Sequence, residues 1–486
     1  MKKQVLAFYM ILMSVFIVAC NDDAGFSSSP SLRLEFSSDT ISFDTLFTDR
    51  VSPSAGVVVY NRNKNALRIS DVRLGSGGES GFSVIVDGQY GSSMRDLEVR
   101  AKDSLFVMAS VKLDRNGLDV PFLVKDSLLF TLESGVVQKL MLVAHGRDVV
   151  FMYGDSVVTD TKMPAGHYVI YDSLTVKEGV TFEIEPGTVL YFHDDAFLRV
   201  NGTLNVKGTL ESPVVMRGDR TDNLFPYLPY DRVPGKWGGV LIDSTSNGNL
   251  IEHCDIHSGK FGVRVEPGDT TVQRLVIRSS KIENVAGNAL ETYVAHVDVA
   301  NSLIANAQGN CVKVVGGDVS FVHCTIANFY VWEQRDVALA LHNTLEGEPM
   351  PLYGATFRNC IIAGTKEDEL MGYFANDEDA EVLNVANYYF ENSLINTVDT
   401  QDEFFVNIVY DNHEGTPFAK DHFLKIDNEA FDYDFHLLEG STARGIASDD
   451  FLDVLLYDLD GEVREPGNVD AGCYVYKPVE GESSVE

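Results

Sequence analysis

Cleavage of a glycosidic bond takes two carboxylates, one as acid and one as base or nucleophile. Asp194–Asp195 is the one adjacent Asp pair between Tyr168 and Asp219. Its position between two β-rich runs makes a turn the simpler reading. Elimination chemistry would need a base of lowered pKa, and Lys260, Arg264, Arg274 and Arg278 are the candidates. Each reads more simply as a solvated exterior residue. No catalytic residue is assigned.

Sugar binding asks for less. The stretch RGDRTDNLFPYLPYDRVPGKW, from Arg217 to Trp237, carries Phe225, Tyr227, Tyr230 and Trp237 among prolines 226, 229 and 234. Proline stiffens such a loop, and aromatic faces can stack on sugar rings. A second irregular stretch carries Tyr330 and Trp332. These six aromatics are the candidate glycan contacts; the alternative is that they pack onto the scaffold. No CxxC spacing occurs, so neither a metal site nor a cofactor is expected. The acidic runs Glu367–Glu369 and Asp377–Asp379 could hold Ca²⁺, but a solvated loop is the simpler reading.

The elements that must position these groups come from a repeat. Six segments share the pattern apolar-x-(His/Ser/Asn)-(Cys/Ser)-x-Ile: IEHCDI, IRSSKI, VANSLI, FVHCTI, FRNCII and FENSLI. They start at residues 251, 277, 299, 321, 357 and 390, so the spacings are 26, 22, 22, 36 and 33. A period near 22 in β-branched sequence marks a stacked coil. The alternation slips by one at the third position, so a tight corner sits there. Cys254, Ser280, Ser302, Cys324, Cys360 and Ser393 are then expected to stack inside, one per coil. The longer spacings mark insertions, which in solenoids project from one side and often bind.

The run YVIYDSLTVKEGVTFEIEPGTVLYFHDDAFLRVNGTLNVKGTLESPVVMRGD, followed by GKWGGVLI, resembles the opening coils of right-handed parallel β-helix proteins of the pectin-lyase-like superfamily. Trp237, within that second signature, therefore looks structural. FHLLEGSTARGIAS, DLDGEVR and VDAGCYVY resemble the closing segment of bacterial β-helix surface proteins. The resemblance implies a β-helix over 149–476. Hydrolases of that fold carry Asn-x-Asp, Asp-Asp and Gly-His-Gly, and no Gly-His-Gly is present. Glycan binding or scaffolding without catalysis is therefore expected. The alternatives are a polysaccharide lyase or glycoside hydrolase acting on the β-helix flank, and a purely structural envelope protein.

Upstream, residues 31–148 read as an antiparallel sandwich. Expected strands are 32–36, 56–60, 67–74, 82–86, 104–112, 127–132 and 137–144. This segment resembles immunoglobulin-like domains of spindle, ciliary and bacterial surface proteins, without a Cys–Trp–Cys core. The whole chain is thus expected to be all-β, a sandwich followed by a single-stranded right-handed β-helix, with a polar tail over 477–486.

Lys2 and Lys3, the apolar run from Val5 to Val18, and Ala19-Cys20 resemble a bacterial lipoprotein signal. The resemblance implies removal of 1–19, acylation of Cys20 and a short tether over 20–30. Asn21, Asp22 and Asp23 resemble the surface-export signal of Bacteroidetes lipoproteins. An outer-membrane location, lipid-anchored and surface-facing, is expected. Asp followed by Ser/Thr and an apolar residue or Thr resembles the O-glycosylation motif of exported Bacteroidetes proteins. It occurs at Thr40, Thr45, Ser104, Ser127, Ser156, Ser173, Ser244 and Thr270. The plainer reading is that Asp-Ser opens strands. A net charge of −34, from 38 basic and 72 acidic residues, argues against a nucleic-acid partner. The expected partners are the membrane, through the anchor, and a glycan or envelope protein.

Overall fold

The computed structural model describes residues 25–118, 120–375, 385–411 and 420–478. Residues 1–24, which include Cys20, Asp377–Asp379 and the residues beyond 478 lie outside them. The chain divides into two compact units, Met1–Asp148 and Val149–Glu486.

The first unit is a sandwich of two five-stranded sheets. One carries Glu35–Phe36, Ala55–Tyr60, Ser104–Val111, Phe82–Val86 and Gln89–Gly91 in that order; the other carries Thr40–Phe47, Val137–Arg147, Phe122–Leu132, Leu67–Leu74 and Ser93–Val99. Inward residues alternate along the strands and close one core around Val59, Ile69, Val84, Val107, Leu128, Phe130 and Leu142. Two full-length strands were not expected from the sequence. In Thr40–Phe47 and Ser93–Val99, Asp44, Arg95 and Asp96 interrupt the apolar pattern. Register with a neighbour holds them instead: Thr40–Phe47 pairs in parallel with Val137–Arg147.

The second unit is a parallel β-helix. Eleven parallel strands, from Val150–Tyr153 to Val409–Tyr410, form one sheet. A seventeen-stranded sheet supplies the other two walls of the coil. In two coils these walls merge into single eleven-residue strands, Leu290–Ala300 and Val312–Val322. Val294 at φ 38° and Gly316–Gly317 at φ 66° and 89° make the bend between them.

The repeat explains the stacking. Its first position forms an interior column: Ile251 over Ile277, then Val299, Phe321, Phe357 and Phe390. The three phenylalanines stack at 4.8 and 5.0 Å, and Phe405 continues at 4.7 Å. Its last position forms a second column of six isoleucines from Ile256 to Ile395, none exposed. Between them sits the corner. His253, Ser279, Asn301, His323, Asn359 and Asn392 all have φ between 44° and 56°. Asn tolerates this left-handed conformation best, which is why it recurs.

The next slot is buried in every coil, as expected, and its chemistry is now visible. Ser302 Oγ donates to Ala300 O at 2.8 Å and accepts from Ser280 N at 3.1 Å. Ser280 repeats this toward Arg278 O and Cys254 N, and Ser393 toward Glu391 O and Cys360 N. Cys324 and Cys360 use the thiol as donor, to Val322 O at 3.4 Å and Arg358 O at 3.2 Å. The slot takes Ser or Cys because both are small and can donate to the corner carbonyl. The five described cysteines are all free and buried.

The closing segment wraps the outside of the eleven-stranded sheet. Leu303, Ala305, Ala327, Ile361 and Ala363 point outward and are covered by Phe423, Phe435, Leu437, Leu459 and Cys473. Later strands of that sheet are therefore apolar on both faces.

A candidate polar cleft on the eleven-stranded sheet

Where the apolar cover ends, the outer face of the sheet turns polar. Asp255 and His257 lie on strand Cys254–His257, and Glu283 lies on the next, Lys281–Val285. In the ladder Asp255 faces Lys281 and His257 faces Glu283. The aromatic-proline insertion contributes Asp231 and Arg232 through a short 3₁₀ turn, Tyr230–Arg232. The closing hairpin, strands Phe423–Asp427 and Asp432–Leu437, contributes Phe431, Asp432 and Tyr433. Together with Asn284 these residues line a cleft of about 230 Å³.

His257 is the hub. Its Nδ1 donates to Asp255 at 2.7 Å and its Nε2 to Asp231 at 2.6 Å. Two carboxylate partners require both ring nitrogens to carry protons. Burial disfavours the imidazolium, but the Asp255 charge and the hydrogen bonds the ring donates to both carboxylates outweigh it and raise the pKa to about 10. Burial likewise opposes the charged forms of Asp231 and Asp255. Their bonds and attraction to His257 prevail, and both sit below the usual carboxylate range. Arg217 adds a second cation 2.8 Å from Asp231. Glu283 goes the other way: burial, then the Asp255 charge, raise it. One cleft thus holds carboxylates pushed in opposite directions.

Phe431 is held at φ 53°, an uncommon conformation for a bulky residue. Its ring stacks on Trp332 at 4.3 Å. Arg232 pairs with Asp432 at 2.9 Å, and Tyr433 donates to Phe329 O at 3.3 Å. The insertions and the hairpin therefore meet at the cleft.

The sequence-derived candidates divide accordingly. Phe225 and Tyr227 are half exposed and stack on each other at 5.8 Å. Tyr230 lies under the Arg220 guanidinium at 3.8 Å. Trp237 is not a glycan contact but structural, as its GKWGGVLI signature implies: it is fully buried, stacks on Phe192 at 4.3 Å and donates to His257 O at 2.8 Å. Tyr330, 6% exposed, is also packed inside. Neither reaches a ligand in this fold. Trp332 reaches the cleft only through Phe431.

Arg274 was expected in solvent and is wholly buried, donating to Ser246 O at 2.6 Å and Asp243 O at 2.8 Å. Asp194, at φ 50°, occupies the expected turn. Glu369 is not a solvated loop residue: it is buried and paired with Arg335 at 2.5 and 3.0 Å. Among the described residues, no group of three or more His, Cys, Asp or Glu side chains is arranged to hold a metal ion. Of the proposed O-glycan acceptors, Ser104, Ser156 and Ser244 are exposed, whereas Thr40, Thr45, Ser127, Ser173 and Thr270 are half-buried. Thr40 and Thr45 lie within strand Thr40–Phe47. Asp103, Asp126 and Asp243 accept the backbone N–H of the following Ser, but of these three Ser only Ser104 opens a strand; Ser127 lies inside Phe122–Leu132 and Ser244 follows Gly239–Ile242.

The sequence reading missed Asp231, Asp255, His257 and Glu283. The signal available was HCDIH, a His-x-x-x-His spacing at 253–257. In this fold the spacing spans a corner and a strand. His253 belongs to the corner, and His257 alone enters the cleft.

No family model matches this chain, and no curated protein does. Among solved structures, it is similar in part to a family 123 glycoside hydrolase from Clostridium perfringens (9% identity, 25% of this chain and 30% of that one, TM-score 0.18). It is similar to a protein of unknown function from Porphyromonas gingivalis W83 at 16% identity, over 26% and 60% of the two chains, TM-score 0.18. It is similar to Dex49A from Penicillium minioluteum at 9% identity, over 74% and 73%, TM-score 0.24. The chain thus spans under two thirds of the first two. TM-scores this low establish no shared function.

Proposed function

We propose that this protein is a lipid-anchored cell-envelope protein that binds a glycan at the Asp231–His257–Glu283 cleft. The observation that carries the reading is the cleft itself: fixed acceptors and donors beside Phe431 and Tyr433, at a convergence of insertions. A ring of hydroxyls needs both kinds of partner, and aromatic faces suit its apolar side. A volume of about 230 Å³ holds roughly one sugar ring, so a chain end is bound rather than a long internal stretch. Three lining Asp against Arg232 and protonated His257 favour a neutral sugar over an anionic one. Exposed Phe225 and Tyr227, on the same insertion as Asp231, extend the contact. The test is a panel of neutral and acidic polysaccharides, scored for both binding and reducing-end release. Binding without release supports this reading; no binding to any member defeats it.

One observation favours a second reading, glycoside hydrolysis. Glu283 is raised while Asp231 and Asp255 are lowered, and such a split assigns acid and base in known glycosidases. Release of reducing ends that is abolished by Glu283→Gln would establish it.

A further inference from the structure

We propose a second binding site, on the seventeen-stranded sheet, for a sugar ring that carries a sulfate or phosphate ester. It does not depend on the function proposed above. A cleft of about 490 Å³ lies on the outer face of that sheet, beside strands Phe197–Val200, Gly239–Ile242 and Val263–Val265. Gly238 lines it, with Gly239 next in the chain. A Cβ on Gly238 would stand 2.6 Å from Phe197 Cβ, and one on Gly239 would stand 2.6 Å from the Phe261 ring. Side chains there would fill the space between the two phenylalanines.

Three cations border this hollow from three separate elements: Arg199, Lys260 and Arg264, against Asp195 and Glu266. A net positive lining is unexpected on a chain of charge −34. Arg199 lies 5.8 Å over Phe197, and Arg264 lies 5.9 Å over Phe261. Arg264 is held by Glu291 at 2.9 Å and by the lining Glu266 at 3.9 Å, Arg199 by Asp243 at 3.9 Å, and Lys260 by the lining Asp195. Arg199 and Lys260 nevertheless stay about half exposed, at 45% and 51% of their side chains. Donors arriving from three sides suit an anion with three terminal oxygens better than a planar carboxylate, which a single Arg fork satisfies. The Phe261 face supplies the platform for the ring.

The test is calorimetric titration of the full chain with glucose 6-sulfate, glucose 6-phosphate, glucose and inorganic phosphate. At least one ester is expected to bind about tenfold or more tightly than glucose and than inorganic phosphate, and to weaken as salt rises. Arg199→Gln/Lys260→Gln, both exposed, should lose that advantage with unchanged thermal unfolding. Phe261→Ala should weaken the esters and leave inorganic phosphate unaffected. Esters no tighter than glucose, or a double variant that binds like the native chain, would overturn the site. Inorganic phosphate binding as tightly as the esters would overturn the ring assignment.

Discussion

At the residue scale, one position per coil carries most of the fold's specificity. The Ser/Cys slot donates to a corner carbonyl and, as Ser, accepts the slot N–H of the coil before it. Ser302→Leu should therefore cost more than its volume. Overpacking accounts for about 1–3 kcal/mol, and Ser280 N–H loses its acceptor as well, while Ala300 O keeps Ser279 N–H. Ser302→Cys should be tolerated, since Cys254, Cys324 and Cys360 fill the same slot. Urea unfolding of both variants checks this, and equal losses would contradict it. His257 makes the second residue-scale prediction. Its folded pKa, about 10, lies above the ordinary 6.5. The stability it contributes is therefore complete below about pH 6.5 and is lost as pH rises through about 10. Asp231 and Asp255 are shifted down, so their share is lost only as pH falls through their lowered values. His257→Ala should cost about 3 kcal/mol more at pH 6 than above pH 10, where only the loss of a buried side chain remains. Stability curves of both proteins from pH 5 to 10.5 test it; a constant difference across that range would show that His257 is not held as a cation.

At the element scale, the closing segment is the part most exposed to failure. Arg464, almost fully buried, donates to Tyr457 O at 2.6 Å, Asn301 Oδ1 at 2.8 Å and Gly472 O at 3.2 Å. It ties the segment to the corner column. Arg464→Ala should loosen the segment while the coils remain, and native-state alkylation of Cys473 should quicken about tenfold or more. Alkylation at the native rate would contradict that role. The repeat made the coils legible because its period, its phase slip and its corner residues are local facts. The cleft was not legible, because it is assembled from Asp231, Asp255, Glu283 and Asp432, which share no motif. Only the ladder register and the fold-back of the closing hairpin bring them together. Trp237 was legible: the GKWGGVLI signature marks it as structural, and Phe192 in the coil below is its stacking partner.

At the scale of the whole molecule, the chain combines a sandwich, a long β-helix and a strongly acidic surface. The proposed anchor predicts that protein from its native host begins at Cys20 and carries acyl chains. A diacylated terminus gives stable membrane attachment, as a single chain does not. Intact-mass analysis of that material tests the anchor and the O-glycans together. Cleavage elsewhere would refute the first, and a bare polypeptide mass would refute the second. Among the acceptors, exposed Ser104, Ser156 and Ser244 should be modified before half-buried Thr40 and Thr45. The central claim is that the cleft binds a glycan end, and the most direct measurement is a titration. The glycan that scores highest in the panel is titrated into the native chain, Glu283→Gln, Phe431→Ala and Tyr227→Ala. The cleft variants Glu283→Gln and Phe431→Ala should weaken binding about tenfold or more, Tyr227→Ala less, with unfolding midpoints largely unchanged. Native affinity in both cleft variants would contradict the account.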